Sequence, residues 1–443
     1  MAVWSTIQAS LAAAEDRLDA DYFKPKDVEH ITTSVKAGGA SLSSLSTILN
    51  GRTPAEYCEG GRIPVVRSGD LVTPLVFSGN GQVYLQTEDN PALVRLKKGD
   101  VLISSIGMGS IGKVSIVLEP DDFVTVSEVT VLRASAFCSE YLFAYLSTPQ
   151  GQAQIERQVT GATGQQHLLK SKVAKIIVPK ASDSLQNQLE QKVARAADLS
   201  RLATNKYDEA EAILTATLGL DRVDLTPRLF YEVTFASAAR LDAEYFSPRM
   251  QNVIETLSAG GKTIGDVAPL AKRRFKAVPG KPFDYIEIAD IGTAGTAGSN
   301  AIPGEEAPSR ATWIVKPGDI ITTTVRPIRR LSAIILPEQD GFVCSSGFAV
   351  LRPRDIEPEL LLTYLRLPLV AELLDLHTTA SMYPAISTAD FLRIPFRLPD
   401  PQVRAKIVAK VRESFAARAE SLRLLDEAKR VVEEAIGGRT SRS

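Results

Sequence analysis

In each half of the chain the apolar residues first form short strand-type runs and then recur at helical spacing. Short β-type runs broken by Gly and Pro predict strands at residues 63–67, 82–85, 100–105, 113–118 and 124–132. Comparable runs in the second half lie at residues 285–288, 319–325, 332–336 and 342–351. Helical spacing precedes each set, at residues 1–40 and 224–261, and a short helix follows it. Each half is therefore predicted to be a mixed α/β (α+β) domain.

A long amphipathic helix is predicted at the end of each half, where apolar residues recur at helical spacing. The first stripe consists of Leu185, Leu189, Val193, Ala196, Leu199, Ala203, Ala210 and Leu214. The second consists of Val403, Ile407, Val411, Phe415, Ala419, Leu422, Leu425, Val432 and Ile436. Each helix would span about 50 Å at ~1.5 Å per residue, and Gly219 and Gly437-Gly438 are predicted to end them. We expect the two helices to pair as an antiparallel coiled coil, with the domains related by a pseudo-twofold axis. A plain coiled coil without further meaning is the alternative.

The two halves also share sequence. Residues 17–25 (RLDADYFKP) return as residues 240–248 (RLDAEYFSP), 223 positions later and with seven of nine residues identical. Residues 96–103 match 315–322, and residues 131–133 match 350–352. A period above about 200 residues is far outside the range of solenoid repeats, so the chain is one large module written twice. The predicted plan is two domains (1–180 and 223–400), each followed by a spacer helix (181–222 and 401–443).

Composition excludes little. The 443 residues are 44% hydrophobic, which is ordinary for several globular domains. No apolar run of about 18 residues predicts a membrane span, and the first residues do not resemble a secretory signal. Three scattered cysteines suit a reducing cytosol, so a cytoplasmic location is expected. The net charge of −1 leaves nucleic-acid binding to be judged from local charge.

Catalytic motifs were sought and none fits. Residues 107–112 (GMGSIG) satisfy the Gly-x-Gly-x-x-Gly pattern, but a strand follows them instead of the helix that dinucleotide binding needs. The sequence shows no Walker A motif, no Pro-Pro-aromatic methyltransferase motif, no nuclease signature and no His-Glu-x-x-His helix, and three dispersed histidines do not predict a zinc site. An enzyme of unrecognised chemistry stays open as an alternative.

Several segments in a fixed order resemble the target recognition domains of type I restriction-modification specificity subunits. In the first half they are residues 50–57 (NGRTPAEY), 61–71 (GRIPVVRSGDL), 98–105 (KGDVLISS), 109–114 (GSIGKV) and 161–164 (GATG). In the second half the clearest counterpart is residues 318–327 (GDIITTTVRP). The resemblance covers nearly the whole chain, including both long helices.

The resemblance implies a non-catalytic DNA-binding subunit that recognises a bipartite site in double-stranded DNA. It also implies two copies of a DNA adenine methyltransferase subunit as partners and, in restriction complexes, a translocating nuclease subunit. No cofactor is then expected on this chain. S-adenosylmethionine, and ATP with Mg where a nuclease is present, would bind the partner subunits. A scaffold of a related phage-defence complex that has lost sequence reading is the alternative.

The halves depart from the family pattern in different places. The second half has residues 271–276 (AKRRFK) where the first has a Gly-x-Thr-Pro loop. The first half has residues 106–109 (IGMG) where the second has Arg326-Pro327, and both exit strands lack a Leu-Pro-Pro ending. We therefore expect the two domains to read different half-sites.

Candidate DNA-binding residues lie in these loops. In the first half they are Arg52, Thr53, Arg67, Ser104, Ser105, Lys113, Thr163, Gln165 and Gln166. In the second half they are Arg273, Arg274, Lys276, Thr323, Arg326, Arg329, Arg330 and Tyr383. Lys and Arg suit phosphates, Arg can also read guanine, and Gln can read adenine. The alternatives are solvated charged faces and, for Tyr383, a packed loop that covers a core edge.

The repeated aromatic pair of each half has a simpler interpretation. Tyr22, Phe23, Tyr245 and Phe246 are predicted to anchor each domain onto the helices, with Arg17 and Arg240 paired to carboxylates. Contact with a methyltransferase partner is the alternative.

Overall fold

The computed structural model describes residues 20–58, 61–71, 83–86, 93–107, 109–118, 123–161, 166–233, 242–292, 294–379 and 382–440. The chain divides into two compact units. The first unit takes residues up to 202 and from 416 onward, and the second takes residues 203–415. Each unit mixes helices with sheets, which confirms the predicted α/β (α+β) class.

The first unit contains two four-stranded sheets. Its strands are β1 (Ala40–Ser41), β2 (Ser46–Asn50), β3 (Ile63–Val66), β4 (Val83–Leu85), β5 (Val94–Arg95), β6 (Val101–Ser104), β7 (Val114–Ile116), β8 (Val124–Thr125), β9 (Val129–Ala134) and β10 (Ile177–Val178). One sheet has the antiparallel order β2-β9-β6-β7, and the other has the order β4-β3-β8-β5 with β3 and β8 parallel. Strands β1 and β10 form a separate pair. The short helices are Pro25–Lys36, Leu42–Leu45, Ser139–Leu146, Pro149–Gln158 and Lys170–Val173.

The second unit repeats this plan with small changes. Its strands are β11 (Lys262–Thr263), β12 (Phe283–Ile286), β13 (Asn300–Ile302), β14 (Ala311–Ile314), β15 (Ile320–Thr323), β16 (Ser332–Ile334), β17 (Val343–Ser345), β18 (Phe348–Leu351), β19 (Thr378–Thr379), β20 (Ala385–Ile386) and β21 (Pro395–Phe396). The sheets have the orders β13-β12-β17-β14 and β16-β15-β18, beside the pairs β11-β21 and β19-β20. The short helices are Pro248–Ser258, Ile264–Val267, Pro358–Arg366, Pro368–Leu376 and Thr388–Arg393.

Two predicted strands are each divided in two. Residues 124–132 form β8 and then β9, and residues 342–351 form β17 and then β18. In both cases the first piece pairs in parallel within one sheet and the second piece pairs antiparallel in the other sheet. In the first unit the change of sheet occurs at a turn in which Val129 N donates to Val126 O at 3.1 Å. The same exchange in both units supports the duplication that the sequence predicts.

The prediction of helix over residues 224–261 is wrong at its beginning. Residues 224–233 and 242–247 are not α-helical, and the helix begins only at Pro248. Thr226 N donates to Asp224 Oδ1 at 3.0 Å, which forms an Asx turn, and Pro227 follows this turn. In the first half the helix begins at Pro25, and residues 1–19 lie outside the described part of the chain.

The aromatic pair of the first unit is buried in a small cluster of its own, separate from the main cores. Tyr22 and Phe23 are buried, the Arg157 guanidinium lies 3.7 Å from the centre of the Tyr22 ring, and Arg157 Nε donates to Tyr22 O at 2.7 Å. The contacts shown are with the short helix Pro149–Gln158 of the same unit, whereas the sequence predicted the long helices as the anchor, so only the structural role of the pair is supported. Tyr245 and Phe246 are half-buried, and Arg17 and Arg240 lie outside the described residues.

Both predicted long helices are present. The first is Asp183–Leu218 and the second is Pro401–Thr440. Gly219 follows the first helix in a left-handed conformation (φ 76°), as predicted. The predicted end of the second helix at Gly437-Gly438 is wrong, because the helix continues through both glycines. Among the described helices, including these two, none has an apolar stretch long enough to cross a membrane.

Within each unit the two long helices pack antiparallel. In the first unit Lys192 Nζ lies 2.8 Å from Glu427 Oε2 and Ser421 Oγ donates to Ala196 O. In the second unit Ser414 Oγ donates to Ala203 O and Lys410 Nζ lies 2.6 Å from Glu209 Oε2. Lower numbers on one helix therefore face higher numbers on the other. This confirms the antiparallel pairing for the residues of each unit.

The predicted apolar stripe of the second long helix is partly wrong. Ala419 and Leu422 are exposed, whereas Ser414, Ala417 and Ser421 are buried. The serine hydroxyls are satisfied within their own units. Ser421 Oγ donates to Ala196 O, and Ser414 Oγ donates to Ala203 O, both at 2.6 Å. Small side chains permit this close approach of one helix to the backbone of the other, and leucine would not fit there.

Candidate nucleic-acid interface

The loop after β15 in the second unit has an unusual backbone. Thr323 ends the strand and is buried, with its Oγ1 donating to Val325 O at 2.8 Å. A 3₁₀ turn, Pro327–Arg329, follows between Arg326 and Arg330, whose φ angles are +49° and +56°. The left-handed conformation costs a residue with a Cβ about 1–2 kcal/mol, so neighbouring contacts must hold it.

A second segment supports this loop. Arg326 N donates to Pro384 O at 2.8 Å, and the Arg326 guanidinium donates to Met382 O at 3.2 Å. The same guanidinium lies 5.7 Å from the centre of the Tyr383 ring. We call the resulting surface the tip and define it by the exposed side chains of Arg326, Ile328, Arg329, Met382 and Tyr383. The tip joins cationic and apolar groups on one surface.

Arg330 is oriented differently from Arg326 and Arg329. Its Nη1 lies 3.4 Å from Glu211 Oε1 on the first long helix, and both side chains are largely buried. Desolvation raises the pKa of Glu211 above its ordinary value, and the charge of Arg330 opposes this only in part. Arg330 therefore fixes the loop to the helix and has little surface for a ligand.

The basic segment of residues 272–276 presents alternate side chains to solvent. Lys272, Arg274 and Lys276 are exposed, whereas Arg273 and Phe275 are half-buried. Arg273 Nε donates to Ile314 O at 3.1 Å, and its Nη2 forms an ion pair with Asp319, which directly precedes β15. Extended backbone places successive side chains on opposite faces, so three of the four cations of this run are exposed and only Arg273 is turned inward.

The first unit presents four of its candidates to solvent: Arg52, Thr53, Lys113 and Gln166. Thr53 Oγ1 lies 2.7 Å from Ser127 Oγ. Lys113 directly precedes β7. Arg52 and Thr53 follow β2, and Gln166 precedes isolated bridges at His167.

Arg67 is half-buried and already paired. Its Nε lies 3.1 Å from Asp70 Oδ2, and this hydrogen bond raises the pKa of the guanidinium. The candidates Thr163 and Gln165 lie outside the described residues.

Three hydroxyl candidates point into the protein. Ser104 and Ser105 are buried like Thr323. Ser105 Oγ lies 2.5 Å from Thr130 Oγ1, and Ser104 Oγ donates to Ile106 O at 3.4 Å. The hydroxyl groups of all three are used in internal hydrogen bonds and do not form part of the exposed surface.

The loops of the two units occupy the same place in the topology. Leu168 N donates to Ser105 O, and Ile386 N donates to Thr324 O, both at 2.9 Å. With this alignment Gly107, whose φ is +117°, takes the place of Arg326. Glycine adopts such angles without strain, so the second unit presents an arginine at a position where the first unit uses glycine.

Sequence reasoning missed Arg310, which is exposed next to this loop. Arg310 O accepts a hydrogen bond from Ser346 N at 2.8 Å, and Gly347 O accepts one from Thr324 N at 2.9 Å. Arg310 is thus linked through the neighbouring residues Ser346 and Gly347 to Thr324, at the start of the loop after β15. An isolated arginine between Ser309 and Ala311 forms no cluster in the sequence, so no local signal could have identified it.

Among the described residues, no three His, Cys, Asp or Glu side chains are grouped in a way that could hold a metal ion.

Comparisons with known proteins agree with the resemblance found in the sequence. Residues 40–191 match the family model described as Type I restriction modification DNA specificity domain. The chain is also similar to the solved S subunit of a type I restriction-modification system from M. genitalium, at 13% identity, with 90% of this chain and 94% of that chain covered and a TM-score of 0.41. It is similar to the HsdS subunit from Thermoanaerobacter tengcongensis at 15% identity, with 90% and 96% covered and a TM-score of 0.29. No curated protein sequence gives a significant match. Both TM-scores are below 0.5, so the relation to known proteins depends on the family match of residues 40–191.

Proposed function

We propose that this chain, whose residues 40–191 belong to the type I restriction modification DNA specificity domain family, is the sequence-specific DNA-binding subunit of a methyltransferase complex. Each unit would bind one half of a bipartite duplex site. The observation that carries the proposal is the family match of the first half, because the parallel and antiparallel strand pairings of that half recur in the second.

The proposed DNA-facing side chains are those that are exposed on the loops. In the first unit they are Arg52, Thr53, Lys113 and Gln166, with Thr163 and Gln165 kept from the sequence prediction. In the second unit they are Lys272, Arg274, Lys276, Arg310, Arg326, Arg329 and Tyr383. The cations supply phosphate contacts, and the arginines can also donate two hydrogen bonds to guanine.

The long helices would act as a spacer between the two recognition domains, for which the sequence predicts the bounds 1–180 and 223–400. A pseudo-twofold arrangement would offer equivalent surfaces to two DNA adenine methyltransferase subunits. Helices of about 50 Å would place the half-sites on one face of the duplex, about one to one and a half turns apart. S-adenosylmethionine would bind the methyltransferase partners in the cytoplasm, and ATP with Mg would bind a translocating nuclease where the complex contains one.

The test is selection of binding sites from random double-stranded DNA. The chain is copurified with a DNA adenine methyltransferase subunit that it binds, and bound duplexes are recovered at a fixed salt concentration and sequenced. We expect two fixed motifs separated by a spacer of constant length and free sequence. Absence of any enriched bipartite site would contradict the proposal and favour a scaffold. Methyl transfer or DNA cleavage by the isolated chain would favour an enzyme.

A further inference from the structure

The tip exposes more apolar surface than a phosphate-binding loop needs. Ile328 is 51% exposed, Met382 is 75% exposed and Tyr383 is 69% exposed. Removing large apolar side chains from water is favourable, so side chains left in water at one place suggest a partner that covers them. The tip therefore offers apolar contacts to a partner in addition to its positive charge.

The surroundings of these side chains fit a polyanion. Arg326 and Arg329 flank Ile328 in the chain, and the Arg326 guanidinium bonds to Met382 O beside the Tyr383 ring. Residues 325–331 and 382–386 contain no aspartate or glutamate. Charge complementarity thus selects duplex DNA as the partner that covers the apolar groups.

Apolar side chains gain nothing from phosphate oxygens, so they must meet the bases. The 5-methyl group of thymine is the one apolar group that a base pair presents in the major groove. Methionine is flexible enough to follow such a group, and an exposed isoleucine beside a guanidinium can contact it while the arginine holds the backbone.

We propose that Ile328, Met382 and Tyr383 recognise thymine by its 5-methyl group in the half-site bound by the second unit. This inference rests on the proposed function and specifies one base that the second unit reads. It distinguishes the two units, because the first unit has Gly107 in place of Arg326 and glycines at residues 109 and 112 of the same loop.

The experiment replaces each thymine of the selected bipartite site, one at a time, by deoxyuridine, which lacks only the methyl group. Affinities are measured by gel shift for the complex with its methyltransferase subunit. At one or more positions in one half-site we expect about four-fold weaker binding, the equivalent of one buried CH₂ group at ~0.8 kcal/mol. Met382→Ala and Ile328→Ala should bind the thymine and deoxyuridine duplexes equally at those positions.

Val278→Ala is the matched control, since Val278 is also 51% exposed in the second unit but lies outside the tip. It should keep the full preference for thymine, and all three variants should melt like the native chain. A selected site that tolerates deoxyuridine at every position, or that contains no thymine, overturns this inference and leaves the proposed function intact. A preference for thymine that persists in Met382→Ala and Ile328→Ala also overturns it. Failure to select any bipartite site would instead overturn the proposed function.

Discussion

Arg326 combines a strained backbone with an exposed charge, and three substitutions separate the two. Its φ of +49° suits glycine and costs a residue with a Cβ about 1–2 kcal/mol. Arg326→Ala keeps that cost and loses the guanidinium. Arg326→Gly loses both, and Arg326→Lys keeps the positive charge and the strain.

The expected magnitudes follow from these losses. Arg326→Gly should be more stable than Arg326→Ala by about 1 kcal/mol, which corresponds to roughly 2–4 °C in Tm for a unit of this size. If the guanidinium contacts one phosphate, both variants should bind DNA equally weakly. The slope of log affinity against log salt should fall by about 0.9 in each, and Arg326→Lys should restore most of it.

The assay pairs thermal melts of the chain with gel shifts of the complex over a series of salt concentrations. Arg393→Ala is the matched control, because its side chain is 80% exposed in the second unit and the same charge is removed. It should leave the salt slope unchanged. An unchanged slope in Arg326→Ala would place Arg326 away from the DNA backbone. Equal melting of the Ala and Gly variants would refute the strain argument.

Four further predictions concern other residues and the long helix. Arg330→Ala should cost about 1–3 kcal/mol of stability, because it removes the ion pair with the largely buried Glu211, while the salt slope of DNA binding stays the same. Burial raises the pKa of Glu211 from its ordinary 4.5. The contribution of Glu211 to stability is therefore fully present below pH 4.5 and is lost as the pH rises through the raised pKa. Denaturant titrations should show this loss, and Glu211→Gln should abolish the pH dependence. Lys113→Ala should lower the salt slope, whereas Ser105→Ala should change only the melting temperature, since Ser105 is buried and Lys113 is exposed. Adding four residues to the helix Asp183–Leu218 should lengthen the spacer selected from random DNA without changing either half-site, and altered half-sites would refute the spacer function.

Local patterns predicted most strands but could not predict where a strand changes sheet. The run from Val124 to Leu132 is β-type except for Ser127-Glu128, and two polar residues within such a run do not by themselves predict a change of sheet. The division occurs because Val124 pairs with Val65 in one sheet, whereas Leu132 pairs with Val101 in the other. Both partners are distant in sequence, and their positions depend on the folded unit.

The stripe of the second long helix shows a similar limit. Hydrophobicity favours Leu422 as an interface residue, yet the interface at this point takes Ser421. The hydroxyl is satisfied by Ala196 O, so a polar group is buried without an unpaired donor. Periodicity alone identifies the helix but does not distinguish a small bonded residue from a large apolar one.

The candidate site was predictable by region and not by residue. Arg273 and Arg274 are equivalent in composition, but strand alternation turns the first inward and leaves the second exposed at 5.4 Å from the Trp313 ring centre. The partner that holds Arg273 inward is Asp319, which lies 46 positions further along the chain. Ion pairs of this kind are set by tertiary structure, so sequence clusters of cations overstate the number that can reach DNA.

The same aspartate shows how the repeated frame and the divergent loops are separated. Asp100 and Asp319 end equivalent turns, and each accepts a hydrogen bond at 2.8 Å from the backbone of the lysine three positions earlier. Each is buried against an arginine, but Asp100 takes Arg133 from β9 at 2.9 Å whereas Asp319 takes Arg273 from the basic segment. A buried carboxylate must be paired, so the frame retains one guanidinium in each unit whatever the loops contain. Under the proposed function, base recognition would diverge through side chains that the frame does not use. Those side chains are the exposed ones that alternate with Arg273 and those of the tip.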